Sequence, residues 1–245
     1  MDKSKCDSSH CENLRNAAEQ LRSARELVKP CQLLGTTLPD ACEIRENELL
    51  FRQENGEELV GVKYGGTFGY LTNVMDCKDG ILVSQFLNPY SEAEVVFKLK
   101  KKINAPIELH EVLEYVSHVA AGMEIYDSRF GALEASFNDA IADNASAGAF
   151  SYSEWLPASA EVLNGLEAQV FVNDQLVESA PLTSIRGNPW ESIVALSNEL
   201  TSLNITLPAG SIVFSGSATQ EILMLAGNTY TVEIKSLGAV VVTAS

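Results

Sequence analysis

From residue 43 onward the chain is written largely in short runs rich in Val, Ile, Leu, Phe or Tyr, bounded by Gly, Pro, Asn or Asp. Runs of that length read as β-strands and not as long amphipathic helices. They fall at 57–64, 80–86, 92–99, 121–127, 166–173, 211–215, 229–235 and 238–243. Asn173-Asp174 and Leu237-Gly238 read as hairpin tips. Two helical patterns interrupt the strands. One spans about 108–119, with Leu109, Val112, Leu113 and Val116 on one face. The other opens at Asn188-Pro189-Trp190-Glu191, a cap followed by proline at the first helical position, and runs to about Leu203. A third helix precedes the strands at 9–28, where Ser9 and Glu12 form a capping-box pattern and Pro30 ends the run. The stretch to about Ala41 reads as loop. The reading is an α+β chain: a helical segment at 1–42, then a β-rich domain at 43–245.

Composition excludes several functions. Seventeen basic against 33 acidic residues leave a net charge of −16, which repels a phosphate backbone, so no nucleic-acid partner is expected. No apolar run approaches the length of a membrane span, and the N-terminus has no apolar signal core, so a cytoplasmic protein without a membrane partner is expected. Five cysteines, an odd count with no Cys-x-x-Cys pair, read as free thiols. Three histidines, His10, His110 and His118, are too few for a His-rich metal site, and the last two lie off the apolar stripe of their helix, facing solvent.

Chemistry concentrates in three segments. In Tyr90-Ser91-Glu92-Ala93-Glu94, strand geometry projects Glu92 and Glu94 side by side, and adjacent carboxylates repel unless a cation lies between them. On an exposed strand that pair is only a solvated face. The run Glu124-Ile125-Tyr126-Asp127-Ser128-Arg129 follows an apolar stretch and carries two acids, a base and a hydroxyl, which need partners if buried. Three carboxylates, Glu92, Glu94 and Glu124, with water suit Mg²⁺ or Mn²⁺. Asp127 stands three residues from Glu124, so an ideal strand turns it to the other face; a structural pairing with Arg129 competes with a catalytic role. The small-residue loop Asp139–Ala149 permits close approach of a ligand to backbone N–H groups.

Taken together, these motifs resemble a known family. Gly-Val-Lys63-Tyr-Gly, Phe68-Gly69-Tyr70-Leu71-Thr72, Glu92-Ala-Glu94, Glu124-Ile-Tyr-Asp127-Ser128-Arg129 and Asp143-Asn144-Ala145-Ser146 are similar to the 2-keto-4-pentenoate hydratase and 4-oxalocrotonate decarboxylase group of the fumarylacetoacetate hydrolase superfamily. Arg186-Gly-Asn-Pro-Trp190 and Phe214-Ser-Gly-Ser217 agree. The resemblance implies a fumarylacetoacetase C-terminal-like mixed β-roll with outer helices, and a homo-oligomer. It implies Mg²⁺ or Mn²⁺ on Glu92, Glu94 and Glu124, chelating the keto and carboxylate oxygens of a 2-oxo acid. Lys63 and Asp127 would be the catalytic groups; Ser146, Arg129 and Thr67 would contact substrate. The implied activity is a metal-dependent lyase working through a stabilised enolate, as hydratase, decarboxylase or tautomerase.

The chain departs from the pattern beside Lys63. About a dozen residues of the resembling group are absent there, and Thr67 stands where an aspartate is expected; a threonine hydroxyl is no general base near neutral pH. Two alternatives therefore stand beside the lyase: an acylpyruvate-type C–C hydrolase, and a non-catalytic scaffold that keeps the metal and the fold.

Overall fold

The computed structural model describes residues 8–245. Its helices are α1 (Ser8–Leu27), α2 (Leu38–Glu54), α3 (Val112–Tyr115), α4 (Phe137–Ala142) and α5 (Glu191–Ser202). Its strands are β1 (Leu59–Tyr64), β2 (Phe68–Thr72), β3 (Tyr90–Leu99), β4 (Val116–Tyr126), β5 (Ala147–Tyr152), β6 (Leu156–Pro157), β7 (Glu167–Val172), β8 (Gln175–Pro181), β9 (Ile212–Phe214), β10 (Ile222–Leu223), β11 (Thr229–Ile234) and β12 (Gly238–Thr243).

One sheet runs β2-β1-β9-β3-β4-β5, with β10 added to β3 and β6 to β4; β1 and β9 are parallel, and the other pairs are antiparallel. Its two edges come together. Asn144, just ahead of β5, hydrogen-bonds Tyr70 of β2, and the chain after β2 reaches β5 through an Asp76–Phe150 bridge. The sheet is thus a nearly closed roll. A second, antiparallel sheet, β12-β11-β7-β8, packs on its outside.

Strand alternation sorts the side chains. Ala93, Val95, Phe97 and Leu99 of β3, with Val119, Ala121, Met123 and Ile125 of β4, enter the main core between the roll, the second sheet and α5. Each large apolar side chain buried there contributes about 1.5–3 kcal/mol. The alternate residues face the roll interior, where Val96, Ala120, Phe150, Ile212 and Phe214 form a smaller cluster. Cross-strand register then places Glu92 opposite Glu124, Glu94 opposite Gly122 and Val96 opposite Ala120. Gly122 has to be glycine: a Cβ there would lie 2.3 Å from Val96 Cγ2 and 2.8 Å from the Phe214 ring.

Several expectations are corrected. The loop expected up to Ala41 ends at Thr37, which caps α2 by accepting from the Asp40 amide, and the expected boundary at 42/43 falls inside that helix. Helix α2 hides from a hydrophobicity reading because Arg45, Glu48 and Arg52 are among its buried residues. Arg22, Arg25 and Arg52 converge on the Glu48 carboxylate at 3.4, 3.0 and 3.1 Å. The run 80–86 is no strand; a 3-10 turn at Val83–Gln85 and hydrogen bonds to the C-terminal residues hold it. The helix expected at 108–119 shrinks to a 3-10 turn plus α3, and β4 takes over at Val116, where Val116 and Val119 favour the pleat. His118 therefore sits half-buried on β4, whereas His110 is exposed as expected. Cys31, Cys42 and Cys77 are free thiols, as expected, but Cys11 is disulfide-bonded, which cysteine counting does not register. Cys6 lies outside the described residues.

Candidate metal centre

Three carboxylates meet at one end of the roll. Glu92 and Glu94 come from the inward face of β3 and Glu124 from β4, and a ligand oxygen from each lies within 4.8 Å of the others. Glu94 and Glu124 are each only 1% exposed. Burial and the Glu124 charge push Glu92 up to about 7, a rise that Lys63 tempers. Glu94 is raised by burial and by both neighbouring glutamates, against Lys63 and the Gly216 amide. That amide donates to Glu94 Oε2 at 2.9 Å. Such a cluster calls for positive charge.

Part of that charge comes from Lys63, on the inward face of β1. Its ammonium lies 3.0 Å from Glu124 Oε1. Burial by itself favours the neutral amine, but Glu124, Glu92 and Glu94 outweigh it and hold Lys63 above its ordinary value. Lys63 is therefore an ammonium here. Three carboxylates against one ammonium leave two charges unbalanced. Glu124 Oε1 is buried against the Lys63 ammonium. An all-oxygen donor set with negative charge in excess fits a hard divalent cation. Cavities of 480 and 410 Å³ open elsewhere on the molecule and are not lined by these glutamates. Charge, not volume, marks this site.

The other expected site residues fall into two groups. Ser146 lies in the turn Asn144-Ala145-Ser146, which runs beside Gly69, the cross-strand partner of Lys63. Its hydroxyl donates to Asp143 Oδ2 at 3.0 Å. Asp127, Arg129 and Thr67 are engaged with protein groups. Both oxygens of Asp127 accept backbone amides, Asn88 at 2.7 Å and Leu87 at 3.2 Å. Arg129 donates from Nε to the Asp143 carboxylate and from its terminal nitrogens to the Asp143 and Ala147 carbonyls. Thr67 donates to Glu199 Oε1 of α5 at 2.8 Å.

The family profile described as fumarylacetoacetate (FAA) hydrolase C-terminal matches residues 73–244. The chain belongs to that family. The 2-hydroxyhexa-2,4-dienoate hydratase of Comamonas testosteroni is 32% identical to it over 242 residues, covering 90% of this chain and 91% of the relative. A 4-oxalocrotonate decarboxylase of Pseudomonas sp is 30% identical, over 85% of this chain and 88% of that one. The structure of 4-oxalocrotonate decarboxylase from Pseudomonas putida G7, complexed with magnesium and adipate, is similar with a TM-score of 0.88 at 25% identity, covering 96% of this chain and 98% of that chain. The α+β fold with a fumarylacetoacetase-like mixed β-roll, expected from the motifs, is the fold the chain has.

Sequence reasoning missed four contributors. Gly122 and Gly216 shape the carboxylate end, one by leaving room and the other through its amide. Asp143 and Glu199 hold expected site residues in place. The glycines are invisible as chemistry because they act through an absent side chain. Glu199 sits in an otherwise ordinary amphipathic helix and carried no signal.

Proposed function

We propose that the protein is a divalent-metal-dependent lyase acting on a 2-oxo acid or its 2-hydroxydienoate enol, with Mg²⁺ or Mn²⁺ held by Glu92, Glu94 and Glu124. The observation that carries this is the three-glutamate cluster, largely buried, with Lys63 beside it balancing only part of its charge. Relatives named as a hydratase and as decarboxylases, and a similar structure containing magnesium and a dicarboxylate, support it. When bound, the metal supplies a Lewis acid for the keto and carboxylate oxygens of the substrate.

The chain's own residues do the rest. Lys63 holds a proton at Nζ beside the cluster, so it offers an anionic substrate a positive charge and a hydrogen-bond donor. Ser146 and its turn run beside Gly69, the cross-strand partner of Lys63. In this reading Asp127 and Arg129 act through the segments they fix, 87–88 and 143–147, and Thr67 acts through Glu199. The reading carries with it a cytoplasmic homo-oligomer, which light scattering behind a sizing column checks; a monomer would remove the oligomer.

The test is a turnover screen of 2-oxo acids and 2-hydroxydienoates followed by ultraviolet absorbance. Consumption that needs Mg²⁺ or Mn²⁺ and stops with a chelator is the expected result. Protein that binds the metal and oxalate but turns over none of the panel would replace the lyase with a scaffold.

A further inference from the structure

The turn Asn144-Ala145-Ser146 is built at visible cost. All three residues have positive φ, at 55°, 50° and 56°, although none is glycine. Such conformations are strained for residues with a Cβ and persist only where surroundings over-determine them. Here the surroundings do. The Asp143 carboxylate accepts from the Arg129 side chain, the Arg129 amide and the Ser146 hydroxyl. Arg129 in turn donates to the carbonyls on either side of the turn.

The side chain of Asn144 then does what a strand would do. Its Oδ1 accepts the Tyr70 amide at 2.7 Å and its Nδ2 donates to the Tyr70 carbonyl at 2.9 Å, both bonds buried. One carboxamide thereby satisfies both main-chain groups of a β2 residue on the side where no strand lies, and it ties β2 to the segment entering β5. The fit next to it is close. A Cβ on Gly69 would lie 2.1 Å from the Asn144 carbonyl oxygen and 3.3 Å from Ala145 Cβ. Gly69 is paired across the hairpin with Lys63.

We propose that Asn144 is a positioning residue, which sets the width of the roll beside Lys63 and so the slot for the carboxylate end of a 2-oxo acid. This deepens the proposed function and rests on it. The three metal ligands sit on β3 and β4, and none belongs to β2 or to the turn that Asn144 joins to it. Loosening the seam therefore weakens anion binding and leaves metal binding in place. Gly69 offers an independent handle: a methyl group there pushes the turn away while every donor and acceptor of Asn144 remains.

The experiment uses the full chain and reads two affinities by calorimetry: Mn²⁺ alone, then oxalate at saturating Mn²⁺. For Asn144→Ala and for Gly69→Ala, Mn²⁺ affinity stays within about twofold of wild type while oxalate affinity falls about tenfold or more, about 1.4 kcal/mol. The double variant loses little beyond the worse single one, because both act on one seam. If Asn144→Ala does not fold, Gly69→Ala decides by the same comparison. Oxalate affinity unchanged in a folded variant, or Mn²⁺ and oxalate lost in equal measure, overturns the proposal while the lyase stands. Wild-type protein that binds no Mn²⁺ overturns both.

Discussion

At the scale of single residues, the carboxylate end of the roll is defined by groups that should not be buried together. Protons and metal compete for Glu92 and Glu94, both raised above the ordinary carboxylate range by burial and by their neighbours. The metal requires the deprotonated forms, so binding releases protons and affinity climbs as pH rises through about 7, the value to which Glu92 is pushed. Calorimetric Mn²⁺ affinity should be about tenfold tighter at pH 8 than at pH 6; a flat profile would contradict the coupling. Arg129 makes the opposite case of a buried charge fully matched. Its removal in Arg129→Ala leaves Asp143 uncompensated inside the protein and should cost about 3–5 kcal/mol in urea unfolding. A loss below about 1 kcal/mol would show that the pair is not what holds the turn.

At the scale of elements, β3 and β4 carry the site, and most of what they do was legible. Their alternation announced which side chains share a face, and Glu92 and Glu94 were readable as neighbours from spacing alone. That Glu124 faces Glu92 was not readable, because register depends on the whole antiparallel pair. Helix α2 escaped because charged residues carry part of its buried stripe, and no apolar period betrays it. The run 80–86 misled for the converse reason: apolar residues there anchor the C-terminus without joining a ladder. Gly122 shows how tightly the two strands fit. Gly122→Ala drives a methyl group into Val96 and Phe214, with an expected loss of about 1–3 kcal/mol and weaker Mn²⁺ binding through displacement of Glu124, two residues on. Unchanged stability and affinity would mean the roll interior yields more freely than its contacts suggest.

At the scale of the whole molecule, a chain of net charge −16 gathers three of its acids at one end of a roll. No helix among the described residues is long and apolar enough to cross a membrane. A ligand that binds only the folded chain stabilises it, by about 2.7 kcal/mol at a hundredfold excess over its dissociation constant. Thermal unfolding in Mn²⁺ should therefore shift upward and return on chelation, whereas an equal shift with Na⁺ at matched ionic strength would point to screening of the net charge.

The most direct measurement is a calorimetric titration of Mn²⁺ into wild-type protein and into Glu124→Gln, which keeps the shape of the side chain and removes its charge. Saturable binding by the wild type, lost in Glu124→Gln while the variant still unfolds cooperatively, is the expected result. Retained affinity in Glu124→Gln would mean that Glu92, Glu94 and Glu124 are not the metal centre.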